Sequence, residues 1–413
     1  MLNTYAIIIL ATLLVGLLLE LISNLLNLSH LKAELPEEFK DIYDQEKYEK
    51  SQAYTRRVTK FGLFESVFDL LVLLVFWFMG GFDYLDNFIR QYGHGELLNG
   101  LAFIFVLMLG QSLIKLPFKY YSTFVIEEEF GFNKMTHTTF VLDLVRGLLL
   151  GGVLGGVLLT GVLYFFIRLE SVAWLYCWVG VMLFTLAIQY ITPIWIMPLF
   201  NKFTPLEEGE LHTAVMNFAK GVNFTLSGIY VIDGSKRSSK SNAFFTGFGK
   251  NKRIALYDTL VEQLSVKEMV GVLAHEIGHY KKKHLIKSMV VNFLQMGVMF
   301  YLLSFFLKNE GLHNAFFMSH PPSVYAGLIF FGMLYSPISM VLSQLSNLFS
   351  RKHEYEADAY SKEHTAEADC LIGALKKLSL NNLSNLTPHP FYVSLNYSHP
   401  TVMDRIKTLR GNG

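Results

Sequence analysis

Apolar residues are gathered along this chain into long blocks separated by polar and charged segments. Each block approaches the length of about 20 residues that an α-helix needs to cross a bilayer. The pattern predicts an α-helical polytopic membrane protein with about seven spans. The predicted spans are residues 4–27, 62–80, 98–117, 138–167, 172–193, 288–307 and 324–348.

The boundaries of three predicted spans depend on short signals. Residues 138–193 are almost continuously apolar, and Arg168, Leu169 and Glu170 mark the turn between the fourth and fifth spans. The first span follows Met1 closely, without a basic leader or a small-residue cleavage site. This favours a retained span over a secretory signal.

Positive residues are unevenly distributed among the predicted loops. They are frequent in residues 28–61 and 194–287, whereas loops 81–97 and 308–323 hold one each. Because positive loops stay on the cytoplasmic side of a membrane, we expect these two long segments and the C-terminus there and the N-terminus outside. Segment 28–61 has a helical pattern and is predicted as a helix rather than a disordered linker.

The composition supports a membrane protein and excludes some function classes. Hydrophobic residues make up 52% of the 413-residue chain and charged residues 17%, against about 25% charged in soluble domains. The net charge is +1 and there is no basic arm, so a nucleic-acid partner is not expected. Cys177 and Cys370 lack metal-ligand spacing, and no disulfide between them is expected.

The sequence His-Glu-Ile-Gly-His at 275–279 carries the chemistry. On a helix, His275 and His279 lie one turn apart on one face, so both imidazoles can bind one zinc ion. Glu276 lies about 100° around the helix and can act as a general base without being a ligand. The alternative is a solvated helix face, but the neighbouring residues are largely apolar, and buried polar groups need a partner.

A third zinc ligand is expected where the chain leaves the seventh span. The sixth and seventh spans form a hairpin that returns residues 350–358 to the side of the two histidines. Glu354 and Asp358 are four residues apart, so one can bind zinc while the other accepts the spare N–H of a histidine ligand. Arg351 is expected to orient these carboxylates. His353 and Glu356 remain competing ligands.

Two further regions are candidates for substrate contacts. Residues 242–258 read as two strands with a turn around 249–252, and an edge strand beside a metal site can align a peptide by backbone pairing. The hairpin could equally be structural. In the tail, His399 and Arg405 could steady an oxyanion, although a lone histidine before proline is more often structural.

Polar residues inside the predicted spans form a last group. Asp69, Asp143 and Arg146 are difficult to explain by a position near a helix end. Ionisable groups at membrane depth normally face the protein interior or a wet cavity. Both interpretations, a water-containing cavity and buried ion pairs, remain open from the residues alone.

Several segments together resemble one family over nearly the whole chain, the type I CAAX prenyl proteases, which are polytopic zinc endopeptidases. The segments are YEKSQAY at 48–54 and residues 116–136, 198–206, 241–247, 275–279, 351–358 and 399–405. The resemblance implies seven transmembrane helices enclosing a chamber, with a cytoplasmic zincin-like α+β metalloprotease domain. It also implies a peptide or protein substrate that can be prenylated.

The resemblance assigns roles residue by residue. It implies one zinc ion bound by His275, His279 and Glu354, with Glu276 catalytic. It makes Asp358 a partner of a ligand histidine, in some relatives a proton donor, and it gives His399 and Arg405 supporting catalytic roles. The strand residues Asn242, Ala243 and Phe244 are predicted to bind substrate.

The predicted organisation has four parts. Residues 1–193 hold spans one to five with their loop helices, and 194–287 form the catalytic domain. Residues 288–349 hold spans six and seven, and 350–413 form a tail that completes the zinc site. The oligomeric state is left open.

Two features depart from some eukaryotic relatives. Loop 308–323 is short, and the tail lacks a terminal lysine pattern. These favour a bacterial cytoplasmic membrane over the endoplasmic reticulum. The expected activity is zinc-dependent peptide hydrolysis near the membrane surface, resembling removal of the C-terminal tripeptide of prenylated CAAX proteins. A quality-control protease independent of prenylation is the alternative, and a transporter or a scaffold for lipidated proteins is less favoured.

Overall fold

Long helices with short connections form the N-terminal half of the chain. The computed structural model describes residues 2–32, 34–246, 253–365 and 368–411. The helices are α1 (Thr4–Ser29), α2 (Gln45–Phe78), α3 (Gly81–Arg90), α4 (Glu96–Tyr121), α5 (Glu127–Glu129), α6 (His137–Arg168) and α7 (Ala173–Ile191). The predicted turn after Arg168 is present as a 3₁₀ segment, Glu170–Val172.

A small mixed sheet and three helices follow. The helices are α8 (Glu210–Gly221), α9 (Asp258–Gln263) and α10 (Val266–Lys281), and the strands are β1 (Phe203–Pro205), β2 (Gly228–Ile232), β3 (Ala243–Thr246) and β4 (Arg253–Tyr257). The strand order is β1-β2-β4-β3, with β2 and β4 parallel and the other pairs antiparallel. The predicted hairpin is thus β3 and β4, its turn lies outside the described residues, and β3 is an edge strand.

The remaining chain is helical. It contains α11 (His284–Phe306), α12 (Glu310–Asn314), α13 (Val324–Leu334), α14 (Ser336–His364), α15 (Asp369–Asn381), α16 (Pro390–Asn396) and α17 (Val402–Arg410). Helices α13 and α14 meet at a bend of 54°. Pro337 stands at the start of α14, where its ring leaves no backbone N–H to continue the hydrogen bonds of α13.

The prediction of about seven spans is confirmed. Among the described residues, six helical stretches are long and apolar enough to cross a membrane, and there are seven if the bent pair α13–α14 counts as one span. The polar segment 28–61 is helical only in part. Its second half, from Gln45, is the start of α2, which continues into the second span.

Two of the apolar cores among the described residues pack the membrane helices and the sheet region. In the first, the buried rings of Trp77, Phe316 and Phe330 stack among the spans, with centroids 4.6 Å and 3.8 Å apart. The second core packs Ile254 and Leu256 of β4 with Leu273 of α10 and their neighbours. Because β4 pairs with β3, this second core fixes the edge strand relative to the helix that carries the histidines.

Polar contacts tie the sheet region to the membrane helices. Arg237, just after β2, donates two hydrogen bonds to Asp143 of α6, at 2.7 Å and 2.9 Å. Lys240, just before β3, bonds Glu127 at 2.8 Å and the Tyr54 hydroxyl at 2.7 Å. The chain leading into the edge strand is therefore held from the membrane side.

Helix α10 lies unusually close to its neighbours. It begins with a capping box, in which Ser265 and Glu268 satisfy each other's backbone N–H groups. A Cβ at Gly278 would lie 3.0 Å from the Tyr360 Cβ and 3.2 Å from the Ala357 backbone of α14. A Cβ at Gly271 would lie 2.8 Å from the backbone nitrogen of Leu371 in α15. Both crossings therefore need glycine.

We predict that Gly278→Ala destabilises the protein. The added methyl would push against the backbone of α14, and overpacking of this kind costs about 1–3 kcal/mol. The matched control is Gly62→Ala in α2, where the Cβ would meet nothing within 4 Å, and where alanine favours a helix. Thermal unfolding in detergent should show a lower Tm for the first variant only. An unchanged Tm for Gly278→Ala would contradict the close packing.

Candidate functional site

His275, His279 and Glu354 converge at the crossing of α10 and α14. The two Nε2 atoms lie 3.1 Å apart. The carboxylate of Glu354 reaches both rings, at 3.4 Å from the Nε2 of His275 and 3.3 Å from the Nε2 of His279. His275 and Glu354 are buried, and the His279 side chain is 27% exposed.

The spacing of these three donors fits a tetrahedral metal ion. Zinc binds imidazole nitrogen and carboxylate oxygen at about 2.0–2.2 Å, so neighbouring ligand atoms of a tetrahedral site lie about 3.3 Å apart. The two nitrogens lie 3.1 Å apart, and the two oxygens of the Glu354 carboxylate lie 3.4 Å and 3.3 Å from one nitrogen each, all close to this value. Two imidazoles and one carboxylate also leave one position open, as hydrolytic zinc sites require.

A buried carboxylate and a guanidinium support the first histidine. Asp358 Oδ1 lies 2.8 Å from the Nδ1 of His275, so the ring can donate its N–H there and keep the Nε2 lone pair for a metal. Arg405 of α17 donates to both oxygens of Asp358, at 2.9 Å and 2.6 Å, and its Nη1 lies 3.7 Å from Glu354. This guanidinium offsets the charge of two buried carboxylates.

The expectation for Arg351 is wrong. Its guanidinium donates to the backbone oxygen of Tyr397 at 2.6 Å. The reason is tertiary, because Arg405 from the distant helix α17 occupies the place beside Asp358. The competing ligands His353 and Glu356 do not belong to the group of donors that lie within 4.8 Å of one another.

Burial and hydrogen bonding shift the acidity of two site residues. Burial opposes protonation of His275, but its hydrogen bonds with Asp358 and Glu354 outweigh burial and raise the pKa of His275 to about 9. Burial raises the pKa of Glu276, against the lowering effect of the neighbouring histidine charges. A raised pKa brings a glutamate closer to the neutral range in which a general base works best.

His399 lies at the exposed rim of the site. Its Nε2 is 3.3 Å from Glu354 Oε1, and its side chain is 63% exposed. The Nδ1 faces the Ser398 hydroxyl at 2.9 Å. The predicted histidine is thus next to the donor group, with an imidazole that can reach a bound substrate.

The cavity beside these residues has a volume of about 400 Å³, within the range of small-molecule and peptide sites. Asn242 and Ala243 line it, as do Glu276, His399 and Arg405. Phe244 is not part of the lining. Its ring packs against Tyr257, with centroids 6.4 Å apart, because alternate residues of a strand face opposite sides.

The apolar wall of this cavity has no signal in the sequence. The wall is formed by leucines and a valine from α9, α10 and α15, namely Leu260, Val272, Leu371, Leu375 and Leu378. No local pattern marks them, because helical apolar residues at these spacings normally face a core.

The polar residues of the spans form ion pairs. Lys115 bonds Glu65 at 2.7 Å and also bonds Asp69, and Asp143 is paired with Arg237. Arg146 lies 3.8 Å from Asp143. These contacts satisfy the charges, and the enclosed chamber stays a prediction.

Two family models together match almost the whole chain. The CAAX prenyl protease N-terminal region, with five membrane helices, matches residues 24–202. Peptidase family M48 matches residues 205–412.

Curated relatives share most of their length with this chain. CAAX prenyl protease 1 of Saccharomyces cerevisiae is 36% identical over 404 residues, covering 92% of this chain and 89% of the relative. The CAAX prenyl protease 1 homologue of Homo sapiens is 32% identical over 433 residues, covering 91% and 88%. Both organisms are eukaryotes, so these relatives give no support to the expectation of a bacterial membrane.

The fold is shared with a solved structure. The crystal structure of S. mikatae Ste24p superposes with a TM-score of 0.94 at 34% identity, covering 98% of this chain and 99% of that one. The resemblance noted from the sequence motifs is confirmed. The chain belongs to the CAAX prenyl proteases of peptidase family M48 and is a multi-pass membrane metalloendopeptidase.

Proposed function

We propose that the chain is a zinc endopeptidase that removes the C-terminal tripeptide of prenylated proteins at the cytoplasmic face of a membrane. The observation that carries the proposal is the spacing of the donor atoms of His275, His279 and Glu354. The names of the relatives supply the substrate class, and the lysine-rich loops supply the orientation.

Zinc bound by these three residues would supply a Lewis acid that activates water and polarises the scissile carbonyl. The chain orients the ligands for such a metal. Asp358 accepts the Nδ1–H of His275, which leaves Nε2 free to bind the metal. Arg405 holds Asp358 in place through both of its carboxylate oxygens.

Glu276 moves the protons. It lines the cavity next to the two histidines, and its raised pKa suits a group that must both accept and return a proton. It takes a proton from the attacking water and delivers it to the leaving amine. His399, at the rim, donates a hydrogen bond to the oxyanion that develops on the scissile carbonyl.

The edge strand β3 aligns the substrate. An extended peptide can pair with its outer edge through backbone hydrogen bonds, and Asn242 and Ala243 place this edge at the cavity. The prenyl group would lie among the membrane helices, where burial of its methylenes contributes about 0.8 kcal/mol each.

Glu276→Gln should lower kcat by about 10²–10⁴-fold, because the amide cannot accept the proton. Zinc stoichiometry, measured by metal analysis, and Tm should stay at the wild-type values. The control is Glu262→Gln, an exposed glutamate of α9, which should cleave normally. Full activity of Glu276→Gln would remove the proposed base.

Zinc affinity should rise with pH. With its pKa raised to about 9, His275 of the apoprotein is protonated at neutral pH, and zinc must displace that proton. Release of one proton makes the affinity rise by about tenfold per pH unit below the pKa. Competition with a chelator between pH 6 and 8 measures this slope. An affinity that does not change with pH would contradict the protonated resting state.

A farnesylated peptide should be cleaved with a kcat/KM at least about tenfold above that of its unlipidated counterpart, since two or three buried methylenes suffice for that difference. Glu276→Gln measured in parallel identifies cleavage by contaminating proteases. Equal cleavage of both peptides would instead favour a quality-control protease that does not depend on prenylation.

A further inference from the structure

A second group of polar side chains lies directly behind the metal ligand His279. His284, the first residue of α11, is buried. Its Nδ1 lies 3.0 Å from the Nδ1 of His279, and its Nε2 lies 3.0 Å from Glu356 Oε2. The ring of His353 stacks on its face, with centroids 4.1 Å apart and planes 11° apart.

The backbone between α10 and α11 makes this contact possible. Helix α10 ends at Lys281, and Lys283 adopts a left-handed conformation with φ +58°. A residue other than glycine pays energy for this conformation, which persists where the surrounding structure requires it. The turn joins α10 to α11 through two residues and places the His284 ring beside that of His279.

When His279 binds a metal, only one arrangement of ring hydrogens fits the row of side chains His279, His284 and Glu356. A neutral histidine that binds a metal through Nε2 carries its remaining ring hydrogen on Nδ1. In His279 that N–H points at the Nδ1 of His284, which must therefore accept. The hydrogen of a neutral His284 is then on Nε2 and is donated to Glu356. Each contact has one donor and one acceptor.

We propose that His284 is a positioning residue, which fixes the tautomer and the ring orientation of the metal ligand His279 and passes that support on to Glu356. The inference rests on the proposed zinc site and extends it. The imidazole of His275 contacts the carboxylate of Asp358 directly, whereas the imidazole of His279 is linked to the carboxylate of Glu356 through a second imidazole. Glu356, a competing ligand in the sequence analysis, thereby becomes the end of the relay, whereas His353 only stacks on the His284 ring.

The surroundings of Glu356 suit it as the final acceptor of the relay. Glu356 is also approached by two lysines, Lys287 at 3.9 Å and Lys352 at 4.0 Å. The hydrogen bond from His284 and, to a smaller extent, these two cations lower the pKa of the Glu356 carboxyl, which stays available as the final acceptor. The relay therefore ends on a charged group at the edge of the site, with a Glu356 side chain that is 32% exposed.

The test measures zinc affinity of the full-length protein in detergent by competition with a chelator. His284→Phe keeps an aromatic ring but removes the acceptor, and it should raise the Kd for zinc by about 10–100-fold. His284→Asn can place an amide oxygen near the position of Nδ1 and should recover most of the affinity. The matched control is His353→Phe, which keeps the stacking and lies outside the relay, and it should bind zinc as the wild type does.

Cobalt substitution gives a second readout. The visible spectrum of the Co²⁺ protein reports ligand geometry, and it should change in His284→Phe and stay unchanged in His353→Phe. Glu356→Leu alters only a partly exposed side chain and should raise the zinc Kd in the same direction, so the relay can be tested even if His284→Phe fails to fold.

The outcomes separate the two proposals. A wild-type protein that binds no zinc would overturn the metal site itself and the relay with it. A wild-type protein that binds zinc, with His284→Phe or Glu356→Leu binding equally well, would overturn the relay alone. Equal losses in His284→Phe and His353→Phe would show that His284 acts only by packing.

Discussion

The close approach of α10 to α14 is the constraint on which the rest of the site depends. Metal–ligand bonds are about 2 Å long and tolerate errors of only a few tenths of an ångström. Gly278 removes the side chain that would hold the helices apart, and Ala357 presents bare backbone opposite it. On α14, Glu354 lies one turn before Ala357, and this places its carboxylate between the two imidazoles of α10.

The buried charges around this crossing are balanced only when a cation is present. Glu276, Glu354 and Asp358 face one guanidinium, that of Arg405. With both histidines neutral, as metal binding requires, three carboxylates against one guanidinium leave two negative charges in a largely buried site. A divalent ion compensates this excess, which explains why so many acidic groups can share one small volume.

Much of this organisation could be predicted from the sequence, because it depends on local periodicity. The spans follow from apolar block length, and the shared face of His275 and His279 follows from helical spacing. The prediction of Glu354 as a ligand needs one topological step, the return of a helical hairpin to the same side of the membrane. The structure brings these three residues together.

The rest depends on contacts between distant segments, which spacing does not encode. Arg351 and Arg405 are both plausible partners for Asp358, and only the packing of α17 selects the second. His284 is close to His279 in sequence, yet its contact requires the left-handed turn at Lys283, a conformation with no signature in a lysine. The leucines of the cavity wall look like ordinary core residues.

The outer edge of β3 has a consequence for which substrate proteins can bind. Hydrogen bonds along a strand edge use backbone groups that every residue except proline carries in full, so they select little among the side chains of the partner. They do require a segment of the partner that is unfolded and long enough to extend from the partner's folded domain to the strand edge. In the proposed mode of binding, a protein with an unfolded terminus could bind and one with a folded terminus could not. The length of the unfolded terminus would then be as important as its composition.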